Sequence, residues 1–334
     1  MLRRIALVVS VVLVAAAAST ARPALAQDQA FAREIQARAR VFPQIGAGVS
    51  AIKRDSAGRY YILAAPANAI AIFSADGNRL GQIPNASSRG AKILFASDFD
   101  IDAEGRLFIA DRGANAVKVF NADGTPVATV RVAAPLSVVA LSNREFATAF
   151  LHSNQLVSIF DAQGTLERSF GDVPASSQSD DVLLSHGRLY GDGKGQIYFV
   201  FTDLPDPTIR RYDRFGFAAY EISLPASEFK PPAEARQWTT VTIGKAAPPL
   251  KPVIRALAVD PETQEVWAAI GDELLHFDKD GNRRAAYRTA MKEGARVEAA
   301  AILVEHDRIL VADDPNGVFD FAYPEPRHVA PAAH

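Results

Sequence analysis

A chain of 334 residues, 49% hydrophobic and 22% charged, has room for one large folded domain or two ordinary ones with a real core. Its net charge of −2 provides no basic field to hold nucleic acid or an anionic membrane surface. With no cysteine, a disulfide framework, a thiol nucleophile and cysteine-ligated metals are all excluded.

Residues 1–26 read as an export signal that is removed from the mature protein. Arg3 and Arg4 form a positive start, Ile5 to Ala18 is an unbroken apolar or small-residue run, and Ala24-Leu25-Ala26 supplies the small-x-small cleavage pattern. The run is shorter than the roughly 20 apolar residues a membrane-spanning helix needs, so an uncleaved anchor is the lesser alternative. Loss of Arg3, Arg4 and Arg22 would carry the net charge from −2 to −5. The expected location is periplasmic or extracellular, with no integral membrane segment after cleavage.

Residues 27–38 are a linker ahead of the main domain. Within the stretch from Asp28 to Arg40 a short helix is expected, with Asp28 as its cap and Phe31 and Ile35 on one face. From residue 39 to 323 one unit recurs. Its clearest copy is DFDIDAEGRLFIADRGANAVKVFNADGTPVATVRV, from Asp98 to Val132, which reads as four short strands separated by turns rich in Gly, Asp and Asn. The glycines of the turn between third and fourth strands fall at Gly77, Gly124, Gly164, Gly216 and Gly281, so units of about 40–50 residues carry insertions. Phe73, Phe120, Phe160 and Phe277 share one apolar slot at the end of the third strand. The last unit, from Glu298 to Tyr323, supplies only three strands. Ala39 to Gly46, ARVFPQIG, resembles the outer strands and is expected to complete it. Pairing first strand to last unit would close a ring and cover an exposed edge, and Pro43 suits an outermost strand.

The pattern φ-A-φ-D-x-x-G-x-φ-φ-φ-A-D followed by V-x-φ-F-x-x-x-G resembles the NHL repeat, most closely in the second unit. The resemblance implies an all-β fold: a six-bladed β-propeller of four-stranded antiparallel blades, closed by an N-terminal strand and followed by a Pro/Ala tail over 324–334. It is specific for architecture and silent on activity, because such propellers include receptors, scaffolds, lactonases, lyases and dehydrogenases.

In such a blade the first strand lines the channel. The turns after first and third strands share one face and are uniformly tight here. The loops after second strands share the other face with longer interblade links, of which residues 225–252, proline-rich and carrying Trp238, form the longest. A loop of that length is functional or disordered, and it folds either over the channel mouth or against the ring edge. The loop face is therefore the expected working face. Asp98, Arg188, Arg255 and Glu298 sit at or just before the starts of first strands, His186 precedes Arg188, and Asp111, His152 and Asp203 follow second strands. This mixed set suits a small anion or zwitterion, and it equally suits an ion-pair ring that only stabilises the channel. Asp111, at a strand end, also suits a turn cap that accepts backbone N–H bonds.

Six histidines are present, but only His152 and His186 point to the loop face. The peptide-amidating lyases that resemble this fold use histidines from three blades, and the chain departs from that pattern. Calcium needs several oxygen ligands, for which Asp98 and Glu298 are the weak candidates. No nucleophile-elbow motif occurs, and GDGKG at 191–195 reads as a hairpin. Together these features point to an exported non-catalytic binding or scaffold propeller that recognises a protein, peptide or small molecule. The alternative is a metal-dependent hydrolase or lyase with its site at the channel mouth.

Overall fold

The computed structural model describes residues 32–150, 155–172, 187–201, 207–224 and 253–325. Residues 1–31, with the expected export signal, His152, His186, Asp203, the 225–252 loop and the tail beyond Glu325 lie outside the described residues. Among those described, no helix is long and apolar enough to cross a membrane.

Strand β1 (Arg33–Val41) comes first. A first sheet follows from β2 (Ala51–Arg54), β3 (Tyr60–Leu63), β4 (Ile70–Phe73) and β5 (Arg79–Ile83). The second holds β6 (Ala96–Ile101), β7 (Leu107–Asp111), β8 (Ala116–Phe120) and β9 (Pro126–Arg131). The third holds β10 (Pro135–Ala140), β11 (Phe146–Phe150), β12 (Gln155–Phe160) and β13 (Leu166–Asp172). The fourth holds β14 (Gly187–Gly191), β15 (Ile197–Phe201), β16 (Thr208–Tyr212) and β17 (Ala218–Ser223). The remaining strands are β18 (Ile254–Val259), β19 (Val266–Ile270), β20 (Glu273–Phe277), β21 (Arg283–Ala290), β22 (Ala299–Val304), β23 (Arg308–Asp313) and β24 (Gly317–Ala322). They join β1 in one eight-stranded sheet of order β18-β19-β20-β21-β1-β24-β23-β22. The strands β2, β6, β10, β14, β18 and β22 touch one another in that order, and β22 returns to β2, so they surround a common channel. The fold is an all-β propeller of four-stranded antiparallel blades.

Many of the hairpins are set by an aspartate and a glycine. In the turn after β6, Asp102 Oδ1 accepts the N–H groups of Glu104 and Arg106 at 3.0 and 2.8 Å, and Gly105 takes φ +81°. The same device recurs at Asp161, Asp213 and Asp278. A side-chain acceptor that pins two backbone donors, with glycine in the left-handed region, makes a tight connection that keeps the strands in register. The glycines also let neighbouring sheets mesh. A methyl group at Gly216 would begin 2.5 Å from Phe170 of the adjacent outer strand, and one at Gly164 would begin 2.7 Å from Val130.

The core lies between sheet faces. Phe73, Phe120 and Phe277 are at most 1% exposed and Phe160 is 8% exposed, as the shared slot predicts. Phe120 packs between the first and second sheets with Tyr61, Leu63, Phe99 and Ile109.

The N-terminal segment corrects the sequence reading. Residues 33–41 are strand, not helix, and the closing strand begins six residues earlier than Ala39. Its first half pairs parallel with β21, Arg33 opposite Tyr287 to Gln36 opposite Ala290. Its second half pairs antiparallel with β24, Ala37 opposite Phe321 to Val41 opposite Val318. β1 therefore covers two sheet edges, not one. Only Ala37 of this strand is fully buried, so tertiary pairing, not an apolar face, decides its conformation.

Candidate binding site in the central channel

The end of each channel strand is fixed by one backbone bond across its turn: Asp55 N to Arg59 O, Asp102 N to Arg106 O, Leu141 N to Glu145 O, Asp192 N to Gln196 O, Asp260 N to Glu265 O and Glu305 N to Arg308 O. These bonds define equivalent positions. Two residues upstream stand Lys53, Asp100, Val139, Tyr190, Ala258 and Leu303. Four residues upstream stand Ala51, Asp98, Ser137, Arg188, Ala256 and Ala301. Polar side chains thus gather on β2, β6, β10 and β14, while β18 and β22 present alanine and leucine.

The polar side is a connected cluster. Lys53 Nζ lies 2.9 Å from Asp100 Oδ1, and the Ala140 amide donates to Asp100 Oδ2 at 3.0 Å. Asp98 Oδ2 accepts the Ser137 hydroxyl at 2.5 Å and the Val138 amide at 3.3 Å. The Ser137 oxygen also accepts the Leu189 amide at 2.9 Å. Arg188 reaches across to donate to the Ser97 carbonyl at 3.3 Å, with Asp98 and the Tyr190 hydroxyl beside its guanidinium. Burial works against the Lys53 charge, but Asp100 and Asp98 outweigh it and hold its pKa above the ordinary value. Burial pushes the Asp98 carboxyl up, against Arg188, Lys53 and the Ser137 hydroxyl. Burial likewise raises the Tyr190 phenol, so it stays a protonated donor.

Lys53, Asp98, Asp100, Arg188 and Tyr190 line a cavity of about 500 Å³ whose other wall includes Ala256, Ala258, Ala300 and Ile302. It extends to Ser56, Gly193, Glu262 and His306 in the turns after the first strands. The cavity therefore reaches the tight-turn face and is not confined to the loop face expected to do the work. β18 carries two alanines, and β22 an alanine and a leucine, where β6 and β14 carry Asp, Arg and Tyr.

Among the residues expected from sequence, Asp98 and Arg188 come together in this cavity. Arg255 and Glu298 do not line it. They pair with each other at 2.7 Å, with Asp313 near them. Asp98 and Glu298 fall in separate clusters, Asp98 with Lys53 and Arg188 beside it and Glu298 with Arg255. Among the described residues no three His, Asp or Glu side chains are grouped to hold a metal ion. Asp111 is fully buried and accepts the amides of Leu94, Phe95 and Ala114 and the Lys118 ammonium, which lies 2.7 Å away. It is a cap for its loop, and no acceptor capacity remains for a ligand. His186, His152 and Asp203 lie outside the described residues. Lys53, Asp100 and Tyr190 were not singled out from the sequence, although a charged or phenolic residue two positions before a turn aspartate was a readable signal.

Neither a protein-family model nor a curated protein matches the sequence. Solved structures do. The chain is similar to regucalcin, a calcium-binding protein from Agrobacterium tumefaciens, at TM-score 0.56 and 12% identity over 87% of this chain and 94% of that one. Virginiamycin B lyase from Staphylococcus aureus, solved with quinupristin, gives 0.51 and 14% over 86% and 99%. The Cps50 (Swd1) β-propeller domain of Myceliophteria thermophila gives 0.51 and 11% over 86% and 98%. The likeness is one of fold. At these identities, enzymes and non-enzymatic propellers are matched alike.

Proposed function

We propose that the protein is an exported, non-catalytic binding propeller that takes a small molecule into its channel. The ring in this reading has six blades of NHL type. The eight-stranded sheet counts as two blades whose outer edges are both covered by β1, and the cyclic contact of six channel strands supports that count. Export rests on the charged start, apolar run and cleavage pattern of residues 1–26.

The observation that carries the binding role is the two-sided cavity of about 500 Å³, a size within the range of small-molecule sites. A binding role is favoured over catalysis because Asp98 and Asp100 are already occupied by cations, hydroxyl and amide donors. Asp100, with both oxygens engaged, does not stand free as a base or nucleophile. The alternative, a metal-dependent hydrolase or lyase, draws on the lyase and the calcium-binding protein that share the fold. Metal analysis of purified protein separates the two, and one equivalent of calcium or zinc would favour the enzyme.

Ala300 is half-buried on the cavity wall, so Ala300→Phe places a ring in the channel without entering the core. Native mass spectrometry with a mixed small-molecule library should show adducts on the wild type and none on Ala300→Phe. Equal adducts on both, or none on either, would contradict the reading.

A further inference from the structure

We infer that the ligand is a compact amphipathic carboxylic acid, its carboxylate held between Lys53 and Arg188 and its apolar body against Ala256 and Ala258. This rests on the channel being the binding site, as proposed above.

The chemistry follows from which hydrogen-bonding capacity the cluster leaves unused. Both oxygens of Asp100 are engaged, by Lys53 and Ala140, and Asp98 Oδ2 accepts from Ser137 and Val138. The donors have capacity to spare. An ammonium has three N–H groups and a guanidinium five. Among the described residues Lys53 is paired with Asp100, and Arg188 donates to the Ser97 carbonyl. The protonated Tyr190 hydroxyl adds another donor beside Arg188. A molecule that brings acceptors matches these donors, whereas an ammonium head group would meet two cations.

Charge narrows the class. Lys53 and Arg188 are balanced by Asp98 and Asp100, so the cluster is formally neutral before a ligand enters. One added negative charge can be shared between two cations in charge-assisted bonds. A dianion such as a phosphate monoester would face both aspartates with no further cation to offset it. The opposite wall supplies the second half of the description. Ala256 and Ala258 stand where β14 carries Arg188 and Tyr190, so a short hydrocarbon fits against them and leaves water. Polar and apolar walls across one cavity call for a molecule with one end of each kind.

Hexanoate, hexanamide and hexylamine are matched probes, and calorimetric titration of the full mature protein reads each. Hexanoate should bind, with the amide and the amine weaker by at least about tenfold. Lys53→Met should weaken hexanoate by about 10- to 100-fold and leave hexanamide unchanged. Lys53→Arg should keep most of the affinity. Asp100→Asn should tighten hexanoate, because the carboxylate that competes for Lys53 is gone, whereas a purely structural ion pair would give no such gain. Hexylamine or hexanamide binding as tightly as hexanoate, no hexanoate binding at all, or an unchanged Asp100→Asn would each overturn the carboxylate assignment. If Ala300→Phe binds all three like the wild type, the failure lies one step earlier, in the channel itself as the site.

Discussion

The ring of Phe42, one residue beyond β1, sits 5.0 Å from Phe73 and 5.1 Å from Tyr60, and so ties the end of the closing strand to the first sheet. β1 is hydrogen-bonded to β21 and β24, and Phe42 anchors it to a third set of strands. Deleting the chain through Phe42 should lower the melting temperature sharply and promote aggregation, because it bares two sheet edges at once. Phe42→Ala alone should cost about 3–5 kcal/mol. A deletion as stable as the undeleted protein would show that β1 does not close the ring.

Sheet-to-sheet packing makes a sharper contrast. Phe120 is 1% exposed, whereas Val127 on the adjacent outer strand is 52% exposed. Urea unfolding of Phe120→Ala should show a loss of about 3–5 kcal/mol, and Val127→Ala should stay within about 0.5 kcal/mol of wild type. Comparable losses would mean that the described register is wrong.

His276 gives stability a pH dependence. Its imidazole stacks on Trp267 at 4.1 Å, Nε2 lies 3.1 Å from Glu265, and Nδ1 is buried with no partner among the described residues. Burial holds its pKa below the ordinary 6.5, against the pull of Glu265 and Glu325 and with a smaller push from Arg284. As pH falls below the unfolded value, the unfolded chain takes up the proton first. The stability present above about pH 6.5 is therefore lost as pH falls toward the folded pKa. Unfolding free energies at pH 8 and pH 5 should differ more for the wild type than for His276→Gln. Equal differences would remove His276 as the cause.

The Arg255–Glu298 pair is the control for the channel. Glu298 is 61% exposed in its side chain, and neither residue lines the cavity. Arg255→Ala should change stability by less than about 1 kcal/mol and leave ligand binding in the channel intact. A loss of binding in Arg255→Ala, with Lys53→Met unaffected, would move the site to the loop face.

Much of the fold was readable because strand and turn residues agree. The shared Phe slot and the glycine turns mark where the third strands of the recurring unit end, at Phe73, Phe120, Phe160 and Phe277. β1 escaped because REIQARARV carries almost no buried face: Phe31 and Ile35 suggest a helical stripe, while pairing on both sides makes it a strand. The site was half readable. Asp98 and Arg188 were visible from their nearness to strand starts. Arg255 was placed with them by the same criterion, yet it turns to Glu298. Lys53, Asp100 and Tyr190 needed the equivalence of turns before they could be seen as neighbours, since in sequence they are 47 and 90 residues apart.

The most direct test is a crystal structure of the protein grown with hexanoate. The account predicts density for the acid inside the channel, its carboxylate within hydrogen-bonding distance of Lys53 Nζ and the Arg188 guanidinium, and its chain along Ala256 and Ala258. Hexanoate seated on the loop face or between blades, with only water around Lys53, would contradict it.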